Sequence, residues 1–344
     1  MDKPLIVNTH DHILEAYGKS QEHLKVNPEI QKKIASSLWA YHELGMLVPQ
    51  LVHSFASGHY FPYLESYGEL ENSYQLCLYG FYRYSFIALR NVLELGLLSV
   101  YWDANDQAYF DIKPWISSKQ NTPYRNEIWE KLLSIKNIDI FEKRVGLKGD
   151  IDFVYKILSD YTHIKGYKYS TRAQSSGNFN TFTIKPFSNW VVLMEKVVNI
   201  IICVHLLKYP IGLQHTPIEQ KFGINGPMGG FLEDYQQETI IKVLSEHWRQ
   251  NLIKISDEDV EAVKLAQEIS EKPDITADEF DEQIFEDAKW TIENQGWKSW
   301  YAMEEKFYKG YEKSDPKTYG KFRDRAKRLK DWAIENDCLD KRKP

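Results

Sequence analysis

The sequence predicts a mainly α-helical protein: a helical bundle with one small β-hairpin and a C-terminal helical appendage. Three observations carry that expectation. Apolar residues recur at three- and four-residue spacing along most of the chain, as on one face of a helix. Helix-start signals precede several of those runs. The longest apolar run, Trp190 to Leu207, is interrupted by Glu195, Lys196 and Asn199. A membrane span needs about 20 residues with almost no charge, so this run is expected to be a core helix, with no membrane partner.

The first clear helix opens at Asn27-Pro28-Glu29. Asn suits the N-cap, Pro the first helical position and Glu the positive end of the dipole. Ile30, Ile34, Leu38, Tyr41, Gly45 and Val48 follow at helical spacing, and Pro49 ends the run. A second helix is expected from about Glu69 to Trp102, apolar on most faces and therefore central. Its polar residues Arg83, Arg90 and Glu94 share one stripe, with Asn91 beside it. Residues 103–150 read as a polar excursion with short helices, one of them near Trp129 to Ile135. A third helix is expected over Ile151 to His163, with Ile151, Val154, Leu158 and Tyr161 on one face. Alternation at Tyr167, Tyr169 and Thr171, then at Phe182 and Ile184, predicts a hairpin turning at Ser175-Ser176-Gly177-Asn178.

Eight glycines and prolines between Pro210 and Gly230 predict a break in the chain. The expected division is a bundle domain over 1–209, a linker over 210–232 and a helical region over 233–344. Ser256-Asp257-Glu258-Asp259 and Thr276-Ala277-Asp278-Glu279 both resemble capping boxes that open helices. In the last helix Tyr319, Phe322, Ala326, Leu329 and Ala333 form an apolar stripe. Charge is segregated here: residues 256–295 carry 14 acidic and 3 basic side chains, whereas 306–330 carry 10 basic and 3 acidic. The whole chain is only −6, so net charge by itself announces no polyanion partner.

Cys77, Cys203 and Cys338 are three in number and widely spaced, which suits reduced thiols and a cytoplasmic setting. The N-terminus lacks the basic start and apolar stretch of a secretory signal. No phosphate loop or nucleophile elbow is present; the glycines from Gly223 to Gly230 lack a following Lys-Ser/Thr. No cofactor is therefore expected.

Four groups of residues are candidates for chemistry. Charge inside an apolar helix must pair, bind a ligand or face water, which singles out Arg83, Arg90, Asn91 and Glu94. An Arg90–Glu94 pair one turn apart is the purely structural alternative. His163 ends its helix, where a cationic or acid–base histidine is favoured and where simple capping is equally compatible. Lys321, Arg323, Arg325 and Arg328, interleaved with Tyr319, Phe322 and Trp332, suit nucleic-acid binding; alternatively they pair with the acidic segment of the same chain. His10 and His12, after Leu5-Ile6-Val7, resemble the paired histidines of metal-dependent hydrolases, although no βα alternation supplies further ligands. His42, His53 and His59 lack zinc-motif spacing, so the expected metal ligand set is none.

The run Arg90-Asn91-Val92-Leu93-Glu94-Leu95 in a tyrosine-rich helix, followed by Leu158-Ser159-Asp160-Tyr161-Thr162-His163, resembles the HEPN-like helical bundles of bacterial toxin and defence proteins. The resemblance covers about residues 70–208. It implies an RNA-directed protein, a ribonuclease or an RNA-binding component of defence or stress response. Active members carry an Arg and, after four to six residues, a His. Here Leu95, Gly96 and Leu97 occupy those positions, so the carry-over reaches Arg90 and Asn91, with His163 as a substitute from another helix. Whether the chain is an enzyme stays open at this stage. RNA, another protein chain and a second copy of itself are the candidate partners. A non-catalytic interaction module and a metal-dependent hydrolase using His10 and His12 are the alternatives.

Overall fold

The structure, a computed structural model, describes residues 10–50, 58–106, 108–174 and 180–340. Helices dominate it, and no strand occurs among the described residues. Two compact units emerge. The first comprises residues 1–217 and 227–270, the second 218–226 and 271–344.

Numbering only the longer helices, the first unit contains α1 (His10–Val26), α2 (Pro28–Leu44), α3 (Tyr60–Leu78), α4 (Tyr82–Trp102), α5 (Arg125–Leu132), α6 (Lys136–Val145), α7 (Leu147–Thr162), α8 (Ile184–Lys208), α9 (Asp234–Lys242), α10 (Glu246–Asp257) and α11 (Val260–Ser270). The second contains α12 (Ala277–Gln295), α13 (Trp297–Tyr308) and α14 (Pro316–Glu335).

Helix α8 is the axis of the first unit. It has the length and apolarity of a membrane span, yet 78% of its most apolar window is buried inside the protein. Its neighbours are α2, α4, α6, α7 and α10. Trp190, Met194, Val197, Val198 and Ile201 are fully buried there. The continuous helix expected from Glu69 to Trp102 is instead a hairpin of α3 and α4, broken at Gly80. Gly80 adopts φ +76, which a side chain would resist, and the backbone of Thr181 lies 3.2 Å from where a Cβ would sit. Ser73 Oγ donates to Ser85 O across the hairpin, and Asn91 faces Glu69 further along, which sets an antiparallel register.

Where α4 crosses α8, Gly96 lets the helices meet. A Cβ there would stand 2.7, 2.9 and 3.0 Å from three side-chain atoms of the buried Ile201. Alanine in place of glycine favours a helix by up to ~1 kcal/mol. Overpacking a closed core costs roughly 1–3 kcal/mol. Because all three clashes involve one enclosed side chain, Gly96→Ala is expected to destabilise the first unit, read as a lower urea midpoint at unchanged slope.

Several local expectations need correction. Helix α1 precedes the first helix anticipated, and Asn27 turns its side chain back to His23 O at 2.8 Å rather than capping α2. The expected hairpin is absent among the described residues: Tyr167–Tyr169 form a 3-10 turn and Thr171–Gln174 a short helix, with its proposed turn at 175–178 lying outside them. Ser256 closes α10 instead of opening a helix, and its hydroxyl donates to Pro210 O. Asp259 caps α11 in its place, accepting from Ala262 N at 3.0 Å. The capping box at Thr276 and Glu279 does open α12.

The chain also divides elsewhere than at a 210–232 linker. Residues 233–270 pack within the first unit, with α9 against α2 and α10 against α6. Gln236 donates to the buried Glu43 at 2.7 Å, a polar tie that hydropathy patterning does not reveal.

Candidate functional site

Arg83, Arg90 and Glu94 do share a face of α4, and that face lies against α7. On α7 the opposing stripe is Tyr155, Ser159 and His163, four residues apart at each step. Arg83 fixes the two helices together. Its Nε and Nη2 donate to the carbonyls of Tyr161 and Thr162, both at 3.0 Å. Those carbonyls belong to the last turn of α7, which has no intrahelical partners for them and carries partial negative charge. Phe86 and Tyr161 stack at 4.1 Å just below.

Arg90 sits at the middle of the cluster with its side chain 17% exposed. Nε donates to Glu94 Oε1 at 2.9 Å and Nη2 to Tyr155 Oη at 2.8 Å. Nη1 faces His163 Nε2 at 3.5 Å, the outer limit of a hydrogen bond. Burial disfavours the charge on Arg90, but Glu94 and Tyr155 outweigh it and its pKa moves up. The guanidinium is therefore a permanent cation, with Nη1 the nitrogen not engaged by Glu94 or Tyr155.

Tyr155 is held between two cations. The guanidinium carbons of Arg90 and Arg125 lie 5.0 and 4.9 Å from its ring centroid, within cation–π range. Burial raises the pKa of its hydroxyl, with Glu94 adding to the effect. Arg125 is anchored by Asp152 at 3.2 Å, which also takes Lys148 at 2.6 Å. Ser159 Oγ, on the stripe between Tyr155 and His163, is buried without a hydrogen-bond partner.

His163 itself is exposed, and the chain leaves it through Ile164 at φ +47. A β-branched residue pays for a left-handed conformation, so the backbone is strained directly beside the imidazole. Asn91 departs from the cluster. It lies about 100° further round α4 and donates to Glu69 on α3 at 3.1 Å. It holds the hairpin and does not point at His163's side of the helix.

The structure thus brings together Arg90 and His163, 73 positions apart, and sets Asn91 aside. Tyr155, Arg125 and Ser159 complete the cluster and were not anticipated. Tyr155 and Ser159 had a signal in their four-residue spacing to His163; Arg125 had none, because only tertiary packing brings α5 to α4.

The C-terminal cations lie in the second unit. Asp281 takes Lys321 at 4.0 Å and Arg325 at 3.4 Å, and Glu282 takes Arg328 at 3.1 Å. Three of the four expected nucleic-acid contacts are accordingly neutralised by the acidic helix α12, and Arg325 is buried. Of the four, Arg323 has no carboxylate in ion-pairing range among the described residues.

His10 and His12 fall on helix α1, not after a strand. Two positions apart on a helix they diverge by ~200°, and no group of three metal-ligating side chains exists among the described residues. His42 stacks on Trp39, His59 is largely buried with its pKa lowered by desolvation, and His53 lies outside the described residues.

Compared with protein-family models, curated proteins and solved structures, the chain matches none.

Proposed function

We propose that the chain is an RNA-directed, HEPN-like protein whose Arg90–His163 cluster receives and cleaves an RNA phosphodiester. The proposed setting is cytoplasmic bacterial defence or stress response. One observation carries the reading: a permanent cation and an exposed imidazole from distant helices meet with Nη1 and Nε2 facing each other at 3.5 Å. In an active RNase the two tasks are to neutralise the phosphate and to move a proton, and these are the side chains suited to them. His163 accepts the proton of the ribose 2′-hydroxyl at Nε2. The 2′-oxygen then bonds to phosphorus as the bond from phosphorus to the 5′-oxygen breaks, leaving a 2′,3′-cyclic phosphate. The departing 5′-oxygen takes its proton from water. Arg90 Nη1 faces the non-bridging oxygens.

A second reading, a non-catalytic interaction module, draws on a different observation. Arg83, two of the three Arg90 nitrogens and Asn91 already have partners inside the protein. On that reading the cluster only clamps α3, α4 and α7. The two are separated by incubating the purified chain with end-labelled single-stranded RNA across a salt series. Cleavage yielding a cyclic phosphate terminus supports the first; no cleavage and no salt-sensitive binding leaves the second.

A further inference from the structure

Helix α14 divides its cations between two flanks. At about 100° per residue, Lys321, Arg325 and Arg328 fall on one side, and Tyr319, Arg323, Lys327 and Lys330 on the other. The first flank is spent against α12: Asp281 and Glu282 hold its charges, and the Arg328 guanidinium lies 4.2 Å from the Phe285 ring centroid.

The second flank is different. Arg323, Lys327 and Lys330 are exposed, and none has a carboxylate within ion-pairing distance among the described residues. They run alongside the aromatic edge of α13. Trp297 and Tyr301 stack at 4.9 Å and 21°, both are half-buried, and Tyr301 stacks in turn on the buried Phe322 at 5.9 Å, which fixes the row. Trp297 Nε1 donates to Ala326 O at 3.3 Å, which pins the indole against α14. Lys330 Nζ lies 5.4 Å from that indole, and Tyr319 continues the aromatic line beside Phe322 at 6.1 Å. Glu305 is an acid on this side, and it is occupied by the Tyr301 hydroxyl at 2.9 Å. From Arg323 to Lys330 the row of charge extends about 10 Å.

We propose that this flank of the second unit is a docking surface for single-stranded RNA. Arg323, Lys327 and Lys330 follow the phosphates, and Trp297 and Tyr319, held in place by Tyr301 and Phe322, meet the bases. The cations alone fit any polyanion, but fixed aromatic rings placed between them suit a polymer with stackable bases. A duplex hides its base faces, and an acidic peptide has none. The inference does not rest on the Arg90–His163 reading, because it concerns residues of the second unit only.

The test uses the full chain carrying Arg90→Ala in every arm, so that failure of the first unit's site cannot be mistaken for failure of this one. Fluorescence anisotropy follows binding of a labelled single-stranded oligouridylate, a duplex of equal length, and a polyglutamate competitor. The triple variant Arg323→Glu/Lys327→Glu/Lys330→Glu should weaken single-strand binding roughly tenfold or more and flatten the log–log salt dependence by about 2. Tyr319→Ala should also weaken it, whereas Lys321→Ala on the spent flank should leave it within about twofold. Circular dichroism checks that each variant is folded. Unchanged binding in the folded triple variant overturns the proposal. So does duplex or polyglutamate binding as tight as that of the single strand.

Discussion

Cleavage of single-stranded RNA by the His163→Ala chain is expected to fall about a hundredfold or more, at nearly unchanged stability. Removing a general base costs roughly 10²–10⁴ in rate. The imidazole is exposed, so its loss leaves no cavity to pay for. Arg90→Ala should lose a comparable factor, since deleting one preorganised donor to an oxyanion costs roughly 10²–10³. It leaves Glu94, which is 35% exposed and can be rehydrated. The pair is thus worth at most ~1 kcal/mol to folding. Arg90→Lys keeps the charge but not the fork that reaches Glu94, Tyr155 and His163 together, so it should recover only part of the rate. Single-turnover cleavage and urea denaturation on the same preparations supply both numbers. If either alanine variant cleaves like the parent while folded, the cluster is only a clamp between helices and the cleavage arises from other residues of the chain.

That expectation was within reach of the sequence in part. Arg90, Glu94 and Arg83 are legible as a stripe because helical periodicity fixes which residues share a face. The meeting of Arg90 with His163 is not, because it depends on how α7 lies against α4. Helix periodicity likewise indicated α8 and its burial, since charges inside an apolar run argue against lipid. It failed at Gly80: a single glycine in an apolar run reads as a tolerated interruption, and only the approach of Thr181 and the positive φ make it a turn. Ser256 misled for a related reason. A serine with an acid three residues on resembles a capping box, whereas the true cap, Asp259, has Ala262 at that position and caps through its own carboxylate alone. The box pattern therefore favours the wrong residue. The basic helix shows the same limit in electrostatics. Composition gives the number of cations, but only the azimuth around α14 tells which of them α12 consumes.

Acidification should destabilise the first unit through His205, and by a margin that a single substitution removes. His205 lies within α8, fully buried. Its Nδ1 meets Ile201 O at 2.9 Å, whereas Nε2 has no hydrogen-bond partner. Tyr63 packs edge-on at 5.4 Å and Tyr209 lies at 6.5 Å, so a charged ring would sit in a buried, aromatic setting. Burial therefore lowers its pKa from 6.5 to about 4, with nearby His59 acting in the same direction. Between those values the unfolded chain binds a proton that the folded one refuses. Stability is then fully present above about pH 6.5 and is lost as the pH falls toward about 4. By that linkage the cost between about pH 7.5 and about pH 5 is about 2 kcal/mol. His205→Leu removes the titrating ring and the partnerless nitrogen together, so at neutral pH it should cost little. Carboxylates elsewhere also titrate, but they do so in both proteins, and the difference between the two isolates His205. Two compact units permit two unfolding transitions, and the one of larger amplitude reports the larger unit. Urea midpoints at both pH values, for parent and variant, decide the matter: equal pH dependence in the two would mean that the ring at 205 is not held neutral by its burial.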